Sequence, residues 1–191
     1  MNHISIEGMD GVGKSTTCKL LAEKLGYIFV EKPLHFLLDD DGKITQYQKV
    51  AKRVNANPNR DFTAWYYGLN NIYLYDRFKD KNIVTDRHIV SNYCWSGTEY
   101  NKDIYNLILK KIGKPKLTVI LYATPGAILK RLKTRDINDA DISKVEKSEE
   151  AYERMIYFCE MKKLKYIVID TSDKTPEETV DIILRKLGEL K

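Results

Sequence analysis

Residues 8–15 read GMDGVGKS, a G-x-x-x-x-G-K-S spacing set between the apolar run "HISIE" and the helical-period run "STTCKLLAEKL". Strand, glycine-rich turn and helix in that order tie the start of the chain to a βα unit. Gly8, Gly11 and Gly13 allow backbone conformations that other residues resist, and they let the chain approach an anion closely. Successive N–H groups then face inward, and the following helix turns its positive end toward the same point. The spacing predicts that Lys14 reaches the β- and γ-phosphates of a nucleoside triphosphate and that the Ser15 hydroxyl serves Mg²⁺. The whole stretch is read as the ATP cradle: Gly8, Asp10, Gly11, Val12, Gly13, Lys14, Ser15 and Thr16.

Beyond the loop, short β-rich runs alternate with longer helical ones. "HISIE" (3–7), "GYIFVE" (26–31), "NIVTD" (82–86), "LTVILYA" (117–123) and "KYIVID" (165–170) read as strands. Near-continuous apolar runs suit strands covered on both faces. Helices are expected over 14–25, 61–79, 100–112, 125–134, 147–162 and 176–190. The alternation predicts an α/β P-loop three-layer sandwich, with a five-stranded parallel sheet, in one domain over residues 1–191. "ATPGAI" offers Thr124 as a helix cap ahead of Pro125, and Thr175 with Glu178 forms a capping-box pattern. "LLDDDGK" (37–43) reads as a loop, and "RDINDADISK" (135–144) as a polar segment without clear period.

Composition narrows the function classes. Thirty-two basic against 27 acidic residues leave a net charge of +5, and the basic residues are dispersed. That favours small anionic ligands over nucleic acid. "KKIGKPK" (110–116) is the densest basic run and reads as solvated surface, with a binding patch as the alternative. Three separated cysteines without a C-x-x-C pattern suit a reducing compartment rather than zinc or disulfides. No signal peptide and no run near the ~20 apolar residues of a membrane span are present, so the expected location is cytoplasmic.

Four further stretches carry candidate chemistry. "VTDRH" (84–88) sets Asp86 and Arg87 at the carboxyl end of a central strand, the edge where open α/β sheets bind ligands. A carboxylate there can serve Mg²⁺, and a guanidinium beside it can grip a second phosphate. In "ILKRLKTRD", Arg131 and Arg135 lie four apart on one helix face, where they could close over a transferring phosphoryl group or simply be solvated. In "DFTAWYYGLNNIYLYDRF", Phe62, Tyr66, Leu69 and Tyr73 form a stripe expected to be mostly core. Phe62, Trp65 or Tyr66 could stack on a base, and Asn70 or Asn71 could meet the acceptor. "DTSDKT" (170–175) could border an adenine ring or be a plain turn.

Together, "EGMDGVGKST", "DRHIVS" and "YATPGAILKRLKTR" resemble the thymidylate kinase family of P-loop nucleoside monophosphate kinases. The resemblance implies phosphoryl transfer from ATP·Mg²⁺ to a (deoxy)nucleoside monophosphate, dTMP above all. It implies a short lid near 131–146, nucleotide partners and a possible homodimer. Asp10 would contact the acceptor sugar, and Ser15 and Asp86 would hold the metal. Lys14, Arg87, Arg131 and Arg135 would carry catalysis. Gly11 stands where one subgroup of the family has arginine; members with glycine supply lid arginines instead. Two departures stand out. "VEKPLHFLLDD" keeps only the acid and the proline of the family's Glu-Pro-Gly-Gly-Thr run, and Asn70 or Asn71 sits near its acceptor-phosphate arginine. In the related deoxynucleoside kinases, a glutamate at the place of Glu31 acts as base toward a nucleoside 5′-hydroxyl, which leaves that acceptor open.

Overall fold

All six residues of strand β1 (His3–Gly8) are buried, although polar and apolar side chains alternate along it. A strand at the middle of a sheet covered on both faces explains this. In the computed structural model, which describes residues 1–40 and 43–189, β1 lies between β3 (Ile83–Asp86) and β4 (Leu117–Tyr122). β2 (Ile28–Glu31) and β5 (Tyr166–Asp170) form the edges. The order is β2-β3-β1-β4-β5, and every pairing is parallel.

Ile4 and Ile6 join the apolar core on one side of β1. On the other side His3, Ser5 and Glu7 are buried with partners, as buried polar groups require. His3 Nε2 meets Thr85 Oγ1 at 2.8 Å, and Ser5 Oγ donates to Thr118 Oγ1 at 3.1 Å. Ser91 Oγ donates to Glu7 Oε2 at 2.5 Å.

Ten helical segments connect the strands among the described residues. Six were expected, and their bounds agree closely: α1 (Lys14–Leu25), α4 (Arg60–Phe78), α6 (Lys102–Ile112), α7 (Pro125–Arg135), α8 (Ser148–Met161) and α9 (Pro176–Glu189). The expected end of the last helix, residue 190, lies outside the described residues. Both capping signals operate. The Thr124 hydroxyl accepts from Ala127 N, and Thr175 and Glu178 exchange side-chain-to-backbone bonds at 2.8 and 3.2 Å.

The four others were not expected: α2 (His35–Leu38), α3 (Thr45–Asn55), α5 (Ile89–Ser96) and a 3₁₀ segment over Ala140–Lys147. Leu37 and Leu38 thus end a short helix rather than open a loop, while residues 41 and 42 of that expected loop lie outside the described residues. α5 carries almost no polar face, because seven of its eight residues are buried, so no amphipathic period marks it. α1 packs on α9; α5 packs on α4 and α8, on the side of β1 that holds Glu7, where Ser91 meets it. That completes the three layers.

The α4 stripe is a correction. Phe62 and Leu69 are about half exposed, with Trp65 and Ile72 beside them. The buried face consists of Thr63, Ala64, Gly68, Asn71 and Leu74, small residues that let α4 approach its neighbours closely.

Candidate active site at the carboxyl edge of the sheet

Gly13 precedes α1 with φ 93°, in the left-handed region that favours glycine, so the chain can turn directly from the loop into the helix. Thr17 N donates to Gly13 O at 3.0 Å, which leaves the N–H groups of Lys14, Ser15 and Thr16 ahead of the first helical bond. These unsatisfied donors and the positive helix end suit a phosphate. Gly11 has φ 85°, and a Cβ there would lie 3.0 Å from Ile128 Cγ2 and 3.2 Å from Leu132 Cγ. The loop is therefore pressed against α7, the helix that carries Arg131 and Arg135. Val12 is buried beneath it.

Lys14 is buried to 5% exposure, and its ammonium donates to Met9 O at 2.7 Å. It also sits 3.5 Å from Asp10 Oδ1. Burial and the nearby Arg87 charge pull its pKa below the ordinary lysine value.

Arg87 reaches the same carboxylate from the other side: its Nη2 donates to both oxygens of Asp10 at 2.9 Å, while Nη1 donates to Gly8 O at 3.0 Å. Burial alone would raise the Asp10 pKa; the two cations outweigh it and hold the carboxyl well below the usual carboxylate range. Arg87 itself adopts φ 71°, unusual for a residue other than glycine, and its N–H donates to Ile6 O at 2.9 Å. That bend turns the guanidinium back over the loop.

Next to this pair, Ser15 Oγ donates to Asp86 Oδ2 at 2.5 Å. Serine hydroxyl and carboxylate beside a phosphate cradle are a hard oxygen pair of the kind Mg²⁺ uses alongside phosphates and water. The residues present therefore fit an ATP·Mg²⁺ ligand.

Arg131 and Arg135 share α7 but not partners. Arg131 donates to Gly11 O and Thr171 Oγ1, both at 3.3 Å, and to the carbonyls of Thr171 and Ser172. Thr171 Oγ1 in turn donates to Val12 O at 3.0 Å. The "DTSDKT" turn is thus stapled to the phosphate loop. Arg135 pairs with Asp139 and Asp141, and Lys144 pairs with Asp141 at 2.7 Å. Lys144 also lies near enough to Asp10 to help lower its pKa.

Tyr47 of the unexpected helix α3 is buried close to Tyr66, Tyr67, Arg87 and Glu31. The Tyr66 hydroxyl is buried without a partner, which suits a ligand contact. Phe62 and Trp65 are exposed. Asn70 Oδ1 accepts from Leu34 N at 3.2 Å, so it braces the segment after β2; Asn71 is buried. Glu31 stands at the end of β2 in register with Asp86 and pairs with Lys32 at 3.1 Å.

Sequence reasoning missed Tyr47 and the Glu7–Ser91 pair. The former lies on a helix whose period went unread, and Glu7 lay hidden inside an apolar-looking strand.

A model of the AAA domain family matches residues 4–155, most of the chain. The chain belongs to that family. Among curated relatives of this AAA domain protein, one from Thermococcus kodakarensis, provisionally named an adenylate kinase, is 29% identical, with 95% of this chain and 82% of that one covered. A probable thymidylate kinase from Methanococcus maripaludis is 28% identical, covering 96% and 94%. A solved structure of deoxyadenosine kinase from M. mycoides with bound dCTP matches with a TM-score of 0.62 at 21% identity, over 98% of this chain and 99% of that one. At that identity the structural likeness establishes the fold alone, and the parallel P-loop sheet of this AAA domain protein agrees with it. No helix among the described residues is long and apolar enough to cross a membrane.

Proposed function

We propose that the protein is a nucleotide kinase that transfers a phosphoryl group from ATP to a (deoxy)nucleoside monophosphate, dTMP being the leading acceptor. One observation carries the reading: Lys14 from the loop and Arg87 from the end of β3 converge on Asp10. Two cations facing each other across one carboxylate suit two anionic ligands meeting head to tail. The relatives named as thymidylate and adenylate kinases agree with this class of reaction.

ATP·Mg²⁺ supplies the transferable group and a neutralising charge. The rest belongs to the chain. Lys14 and the first turn of α1 bind the donor phosphates, and Ser15 with Asp86 holds the metal. Arg87 binds the acceptor phosphate, while Asp10 keeps Arg87 compensated until that phosphate arrives and then faces the acceptor sugar. Arg131 and Arg135 neutralise the charge that builds on the moving group. Tyr66 and Tyr47 bound the acceptor, with Phe62, Trp65 and Asn70 at its rim. An ionised phosphate acceptor needs no protein base.

A second reading rests on Glu31. Its register beside Asp86 puts a carboxylate at the same edge, where it could take a proton from a nucleoside 5′-hydroxyl. Incubation with ATP, Mg²⁺ and a panel of nucleosides and monophosphates separates the two. ADP release with dTMP and not thymidine supports the first reading, release with nucleosides alone supports the second, and release with neither ends both.

A further inference from the structure

The basic run "KKIGKPK" has no part in the carboxyl-edge site. It leads from the end of α6 into β4, and Lys116 N donates to His3 O at 2.8 Å. This places it at the amino edge of the sheet, the far end from the phosphate loop. There the C-terminal parts of α4 and α6 and the starts of β1 and β4 enclose a cleft of about 480 Å³. Lys79, Lys111, Lys114 and Lys116 line it, together with Met1, His3, Tyr75 and Ile112, and among the described residues no acidic side chain does.

The charge balance there is one-sided. Among the described residues Lys79, Lys111 and Lys116 make no ion pair, and Lys114 spends its ammonium on Lys163 O at 3.3 Å. Two helix C-termini face the cleft, and each brings about half an elementary negative charge. Four lysine charges exceed that, so the cleft stays strongly positive and its lysines repel one another until an anion enters. The floor is already organised: Tyr75 OH and His3 Nδ1 are 2.7 Å apart, and His3 Nε2 meets Thr85. Burial keeps His3 neutral at physiological pH, so the floor adds no charge of its own.

We propose that this amino-edge cleft is a second binding site, for a small molecule carrying two or more phosphates. Its volume lies within the range of small-molecule sites and matches one nucleotide-sized occupant. The basic residues elsewhere are dispersed, so no stripe continues the cleft as a nucleic-acid track would require. The site is separate from the phosphate loop and stands whether or not the kinase reading holds.

Inorganic tripolyphosphate is a suitable probe, titrated calorimetrically into the full chain at about 0.15 M salt, where weak surface attraction is screened. Two equivalents should bind the wild type. Lys111→Glu with Lys116→Glu should remove one and leave the equivalent that Lys14→Ala removes. Lys79→Gln with Lys111→Gln should weaken the second site by about tenfold or more, as the loss of charge-assisted contacts implies. These lysines are mostly exposed, and unchanged thermal melting of the variants would show that folding is intact. A single equivalent in the wild type, lost in Lys14→Ala and kept in the Lys111/Lys116 variant, would overturn the proposal. Loss of the Lys14-dependent equivalent alone would count against the phosphate-loop reading instead.

Discussion

Arg87 and Asp10, 77 positions apart, form a two-contact ion pair in which one guanidinium nitrogen donates to both carboxylate oxygens at 2.9 Å. Lys14 approaches the same carboxylate at 3.5 Å, so a single acid compensates cations from both ends of the proposed transfer path.

Arg87→Ala should therefore raise the acceptor KM by roughly ten- to a hundredfold, the loss of a charge-assisted phosphate contact, while the KM for ATP changes little. Asp10→Asn removes the compensating charge, and a double-mutant cycle should show coupling of roughly 0.5–3 kcal/mol in stability. Steady-state kinetics and urea melts check both; equal weakening of the two substrates would contradict the assignment of Arg87.

Arg131 and Arg135 should separate by stability. Both substitutions to alanine should lower kcat by about ten- to a thousandfold if each neutralises transition-state charge. Arg131 also binds the carbonyls of Gly11, Thr171 and Ser172, so Arg131→Ala should lower Tm as well. Arg135 is more than half exposed and, among the described residues, pairs only with Asp139 and Asp141, so its loss should leave Tm nearly unchanged. Unchanged turnover in either variant returns that residue to a structural or surface role.

Glu7 makes stability depend on pH. Its carboxyl is wholly buried, with Oε1 unpartnered, and burial pushes its pKa up to about 7 despite the bonds from Ser91. Between the ordinary value of 4.5 and about 7 the folded chain holds a proton that the unfolded chain has lost. Stability should therefore fall as pH rises through that window, with a slope approaching about 1.4 kcal/mol per unit. Glu7→Gln should flatten this part of a denaturation series; the same slope in the variant would assign it to another group. Asp10 has the opposite sign, and its contribution disappears only in strong acid.

Gly11→Ala should destabilise the fold by about 1–3 kcal/mol, because φ is 85° and the new methyl would press on Ile128 and Leu132. Chemical denaturation reads this directly. A neutral result would mean that α7 yields, and that the loop-to-lid packing is soft.

The homodimer implied by the family resemblance has a candidate face in Leu69 and Ile72, both exposed on α4. Sedimentation velocity should show a dimer that Leu69→Asp shifts to monomer. A wild-type monomer at working concentration would remove the idea.

The phosphate loop, the strands and six of the helices could be read from the chain alone, because glycine spacing, apolar runs and caps are local signals. Asp86 and Arg87 were legible for the same reason: a strand end is a local event. The strand order, which sets β1 between β3 and β4, was not local, and it brings Arg87 onto Asp10. Burial on both faces erased the period of α5 and concealed the polar side of β1, so Ser91 and Glu7 could not be paired beforehand. The exposed stripe of α4 inverted the usual rule, since its small residues, rather than its aromatics, were needed where helices touch. Local chemistry is written in neighbouring residues; which charges face one another depends on contacts between residues far apart in the chain, and those exist only once the sheet has assembled.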